Sequence, residues 1–194
     1  MSDMLERLLA SAESATILRF LADFDALDVD SAAGSTARLS SGADLELIAR
    51  CGAGGRFFRT KPGGQIWYAD SEGSAGVIGS GLETALALLV AAPNWHDLLG
   101  FSGGGDLDEM RRAHDRFAAG VREEYPDLAG EQATVVAELG LVLPEDPVRA
   151  LWAAVHARDP EVVFTDVELE EYAEEPWDSL FGAHTIDRLR ARRS

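Results

Sequence analysis

The sequence predicts an α+β fold: a small twisted antiparallel sheet packed against helices, with a helical C-terminal part. Two observations carry this. Short runs rich in aromatic and β-branched residues, bounded by glycine and proline, lie close together between residues 45 and 78. Before and after them, apolar residues recur at three- and four-residue spacings, the period of a helix that buries one face. Strands and helices are segregated, whereas a parallel sheet needs alternating strand–helix units. The expected organisation is an α+β core with an N-terminal helix over residues 1–105, and a mostly helical extension over 106–194 packed on that core.

In chain order, residues 3–24 read as helix, since Leu5, Leu8, Leu9, Ile17, Leu18, Leu21 and Phe24 share one side. Ser14 is a candidate N-cap where that helix divides. Residues 23–42 are acidic, then rich in Ser, Ala and Gly, and read as a mobile connection. Strands are expected over 45–51, 56–60, 65–69 and 75–78, with Pro62-Gly63-Gly64 as a hairpin turn. Over 65–69 the two-residue period turns Ile66 and Tyr68 one way and Trp67 the other. Ser80 and Glu83 read as a capping box opening a helix over 81–92, stopped by Pro93. Asn94 can cap a short turn through Trp95, Leu98 and Leu99. Residues 102–105, Ser-Gly-Gly-Gly, read as a hinge. Asp106 with Glu109 opens the next helix, whose inward positions are Leu107, Met110, His114 and Phe117. Pro126 and Gly140 bracket a further helix over 127–139. Asp146-Pro147 starts one over 148–157, with Leu151, Trp152 and Val155 inward. Residues 161–165 read as an edge strand, 166–175 as an acidic run and 177–181 as an apolar anchor.

Composition narrows the function. The chain has 194 residues, 46% of them hydrophobic, which is enough for a core without metals or disulfides. It carries 34 acidic against 17 basic residues, a formal net charge of −17, with most of the acids after Gly100. A field of that sign repels phosphates and argues against nucleic acid as a partner, while a basic protein is its natural complement. Solubility alone also accounts for such acidity. Cys51 is the sole cysteine, so no internal disulfide and no Cys-based zinc site is expected, and a reducing, cytoplasmic compartment is favoured. No apolar run reaches the length of a membrane span, and the N-terminus does not read as a signal peptide.

The sharpest catalytic motif is Gly100-Phe101-Ser102-Gly103-Gly104, which matches the nucleophile elbow G-x-S-x-G. Ser102 with Asp159 (or Asp166) and His184 would complete a hydrolase triad in the order Ser, Asp, His. The elbow requires a buried strand before the serine, and residues 95–99 read as helix. The glycine-rich stretch from Gly73 to Gly81 precedes a helix N-terminus but lacks the lysine of a phosphate loop, and Asp70 and Glu72 beside it would repel a nucleotide. His96, His114, His156 and His184 are scattered with no i, i+4 pairing, so no metal and no cofactor is expected. Asp70, Ser71 and Glu72 are too few for a calcium loop. The simpler reading is a turn in which side chains bond nearby backbone N–H groups, with Gly73 and Gly76 as its structural glycines.

Around Tyr68-Ala-Asp-Ser-Glu-Gly73-Ser-Ala-Gly76-Val-Ile the chain resembles bacterial proteins of the SUKH superfamily, the Smi/Knr-type group. The shared features are a strand ending in an aromatic, an acidic glycine-bearing turn, a short strand, a helix, and then Pro93-Asn-Trp95. Gly54-Gly55 before the strand at 56–60 also fits. The resemblance covers roughly residues 45–105. It implies a non-enzymatic α+β interaction domain, of the kind in which many members look like immunity proteins that neutralise toxins, often nucleases. On that reading Trp67, Asp70 and Glu72 form a contact surface for a basic protein partner, with Glu170, Glu171 and Glu174 of the acidic run as a second docking strip. The alternatives are a serine hydrolase using Ser102, and a regulatory or scaffold protein with a house-keeping partner.

Overall fold

The computed structural model describes residues 3–27, 37–61, 64–158, 161–164 and 177–182. The fold is α+β. Among the described residues there are seven helices, and six strands form one mostly antiparallel sheet with the order β1-β3-β4-β5-β6-β8. Its strands are β1 (Asp25–Ala26), β3 (Leu45–Arg50), β4 (Arg56–Thr60), β5 (Ile66–Ala69), β6 (Ser74–Gly79) and β8 (Asp178–Ser179). The four central strands are those expected from the sequence. The edge strands were not: β1 lies inside the segment read as a mobile connection, and β8 pairs parallel to β6 through the apolar anchor. The same segment ends in β2 (Ala37–Leu39), which pairs with β7 (Val162–Phe164) as a separate two-stranded ribbon. Pro62 and Gly63 lie outside the described residues.

Both faces of the sheet are buried. Phe57, Ile66, Tyr68 and Ile78 face a large core that runs from Leu5 to Phe181 and is built mainly from helices. Phe58, Trp67, Ala69, Ala75 and Val77 face a second core closed by Ala37, Leu39 and Val162 of the ribbon. A bulge between Leu47 and Ala49 lets β3 serve both. Leu45 and Leu47 point into the second core, and Ile48 and Ala49 into the first. Trp67 is 0% exposed, which corrects its assignment to an exposed contact surface: the ribbon covers the face that sequence alternation alone would leave to solvent.

The helices are α1 (Met4–Ala10), α2 (Ala12–Leu21), α3 (Leu82–Ala91), α4 (Trp95–Gly100), α5 (Leu107–Glu124), α6 (Leu128–Leu139) and α7 (Pro147–His156). Their starts follow capping chemistry. Ser11, rather than Ser14, caps α2 and accepts the Ser14 N–H. Ser14 is fully buried and donates its hydroxyl to Glu138 on α6 at 2.6 Å. The Ser80–Glu83 box is displaced by one residue. Gly81 is the cap of α3, and its N–H donates to Thr84 Oγ1 at 3.0 Å. Asp106 caps α5 by accepting the N–H groups of Asp108 and Glu109. Asp146 caps α7, with Pro147 in its first turn. The expected hinge at 102–105 is instead held in place. Ser102 is buried, Gly105 O accepts from Trp152 Nε1 at 2.8 Å, and Gly105 packs against Phe181.

Candidate functional site

Chemically distinct side chains converge at one end of the sheet, where the β3–β4 turn meets the end of α2 and the start of α4. The scaffold there is aromatic. Phe24, Phe57, Tyr68 and Trp95 form a chain of ring contacts with centroids 4.8 to 5.9 Å apart. Trp95 Nε1 donates to Ala22 O at 3.1 Å, which ties the start of α4 to the end of α2. That tie sets Asp23, the next residue in the chain, beside His96, the next residue after Trp95. The His96 ring lies against Trp95 at 3.6 Å and meets Tyr68 edge-on at 5.4 Å.

The β3–β4 turn contributes the third group. Cys51 N donates to Gly55 O, Gly54 N to Cys51 O, and Gly55 N to the Cys51 sulfur at 3.1 Å. The turn closes only because residue 55 is glycine: a Cβ there would sit 2.3 Å from the Tyr68 hydroxyl oxygen. The same hydroxyl lies 3.6 Å from Cys51 Sγ. Gly52 N donates to Asp23 Oδ1 at 2.7 Å, which binds the turn to the end of α2. Asp23, Cys51 and His96 each offer one ligating atom, and the three atoms lie within 4.8 Å of one another.

The electrostatics follow from burial. Desolvation lowers the His96 pKa and favours the neutral imidazole, against the opposing pull of Asp23, Asp97 and Asp70. Desolvation and the adjacent Cys51 push the Tyr68 phenol far above its ordinary value, so it stays protonated. His96 Nε2 is sealed from solvent and has no hydrogen-bond partner among the described residues.

The acidic turn expected from the sequence adjoins this cluster. Asp70 Oδ1 accepts from Glu72 N and Ser74 N, each at 2.8 Å, which is the side-chain-to-backbone turn anticipated. Glu72 is exposed, and Ser71 packs beside Gly54. Gly73 has the left-handed φ of +99° that the turn demands. Gly76 is not a turn residue. It lies within β6, where Leu180 comes so close that a Cβ would be 3.1 Å from it.

Of the hydrolase residues, Asp159 and His184 lie outside the described residues, as do Asp166, Glu170, Glu171 and Glu174. Ser102 follows α4 instead of a strand. Its hydroxyl accepts the Gly105 N–H at 3.3 Å, and the side chain is nearly fully buried. The strand–turn–helix geometry of a nucleophile elbow is therefore not formed there. A concavity of about 410 Å³ lies among β6, α3 and α7, lined by Ala87, Leu88, Ala150, Ala153 and Ala154 among others, with no charged group in its wall among the described residues.

Sequence reasoning missed the convergence of Asp23, Cys51 and His96. Their separations in the chain are too long for any spacing motif, and a lone cysteine excludes a multi-thiolate site without excluding a mixed one. The one local signal was Cys51 followed by glycines. The class that fold and site define is an α+β protein with a partly buried Asp/Cys/His cluster under an acidic turn. No family model, no curated protein and no solved structure shows a significant match to the chain.

Proposed function

We propose that this chain is a protein-binding domain whose partner is basic, and that it engages that partner through the end of the sheet carrying Asp70, Glu72 and Asp97. The observation that carries this reading is the placement of charge. In a chain of net charge −17, Asp70 holds the β5–β6 turn that presents Glu72 to solvent, and Asp97 stands exposed in the first turn of α4. Complementary charge accelerates encounter and disfavours wrong partners. The resemblance to the SUKH superfamily supports the specific form of the reading, an immunity protein that occludes the basic active site of a toxin.

The test uses the full chain as bait against any toxin domain found encoded next to its gene, with Glu72→Lys and Asp97→Lys as comparisons. The side chain of Glu72 is exposed, and only its backbone serves the turn, so the fold should be unchanged. The expected outcome is co-purification with the toxin and protection of cells expressing it, with binding weakened at least about tenfold in the double variant. Absence of both binding and protection would remove the immunity reading. Equal binding by the variant would remove this surface.

A further inference from the structure

We propose that Asp23, Cys51 and His96 form a binding site for a divalent transition metal of the zinc type. This goes beyond the protein-binding reading and does not depend on it.

The donor set is one carboxylate oxygen, one sulfur and one imidazole nitrogen. This is a borderline-soft set that suits Zn²⁺ and Co²⁺ and is a poor match for Ca²⁺ or Mg²⁺, which take oxygen ligands. The three ligating atoms already lie within 4.8 Å of one another. Around a tetrahedral Zn²⁺ with bonds of about 2.0–2.3 Å, such atoms stand roughly 3.5 Å apart. Closing that gap takes side-chain adjustment of the order of 1 Å, with no rearrangement of the elements that carry them. Three protein ligands leave the fourth position to water, the pattern of an open zinc site.

Three further features point the same way. His96 Nε2 is a buried polar atom without a partner among the described residues, and burying such an atom is costly unless something binds it. Asp23 is the one described non-glycine residue with positive φ, at +52°, so its carboxylate is presented from a backbone that ordinary residues avoid. The surrounding hydrogen bonds orient the ligands. Gly52 N donates to Asp23 Oδ1 and fixes the carboxylate, while Gly55 N donates to the Cys51 sulfur.

The test is titration of the chelator-treated full chain with Co²⁺, read by absorption. The expected result is one Co²⁺ per chain, a thiolate-to-cobalt charge-transfer band in the near ultraviolet and intense four-coordinate ligand-field bands, all lost on adding Zn²⁺. His96→Gln and Cys51→Ser should each weaken binding at least about 100-fold, and Cys51→Ser should abolish the charge-transfer band. Asp23→Asn guards against loss of fold. Asparagine tolerates the left-handed backbone and can still accept the Gly52 N–H, but it removes the charged ligand, and it should cost at least about tenfold in affinity. Absence of the charge-transfer band in the wild-type chain would overturn the proposal. So would Co²⁺ affinity unchanged in both Asp23→Asn and His96→Gln.

Discussion

Asp23 and His96 show how much a single residue's surroundings decide. A left-handed aspartate costs on the order of 1 kcal/mol relative to a relaxed backbone, and it is held by the Gly52 N–H and by the neighbouring Ala22–Trp95 bond. His96 gives a pH prediction. Its pKa in the folded state is below the ordinary 6.5, chiefly through desolvation, so the unfolded chain binds more protons as pH falls through that value. Its contribution to stability is present above pH 6.5 and is lost on acidification below it. Asp3, Glu138 and Asp146, whose pKa values are also lowered, lose their contributions further down, below their ordinary values of 3.8 to 4.5. Thermal unfolding in chelator should therefore show a falling midpoint from pH 6.5 downward, and a flatter profile there in His96→Gln. A wild-type profile that stays flat to pH 5 would contradict the assignment. Neither residue's environment was legible in the sequence, because it arises from contacts between segments far apart in the chain.

At the scale of elements, the central strands and the helices were legible, since hydrophobic period and capping residues act locally. Errors arose where a local pattern admits two solutions. Ser80 has the residue type of a cap, but the N-cap position falls one residue later at Gly81, and Thr84 within the helix reaches back to accept its N–H. Thr84→Ala should cost about 1 kcal/mol, as a lost hydrogen bond does, and Ser80→Ala less than about 0.5 kcal/mol. Denaturant unfolding of the two variants checks this, and the reverse order would restore the capping box expected from the sequence. Trp67 has a similar lesson. Ile66-Trp67-Tyr68-Ala69 is apolar at every position, the mark of a strand buried on both faces. The alternation drew attention to opposite faces. The continuity of the run was the better guide, and it anticipates the β2–β7 cover that supplies the second core.

For the whole molecule, charge and topology act together. The aromatic scaffold ties the end of α2 to β4, β5 and α4 at one end of the sheet, and the acidic turn between β5 and β6 sits beside them. The acidity was plain from composition, but its placement was not, since placement depends on which turns share an end of the sheet. A surface that works by long-range attraction has a definite kinetic signature. The Debye length falls from about 30 Å at 0.01 M salt to about 8 Å at 0.15 M, so electrostatic steering fades across that range. The most direct measurement is the association rate of the full chain with the basic protein partner proposed for it, across that range of salt. The rate should fall at least about tenfold as salt rises, with a shallower slope for the Glu72→Lys, Asp97→Lys double variant. A rate independent of salt, or a slope identical in the variant, would contradict it.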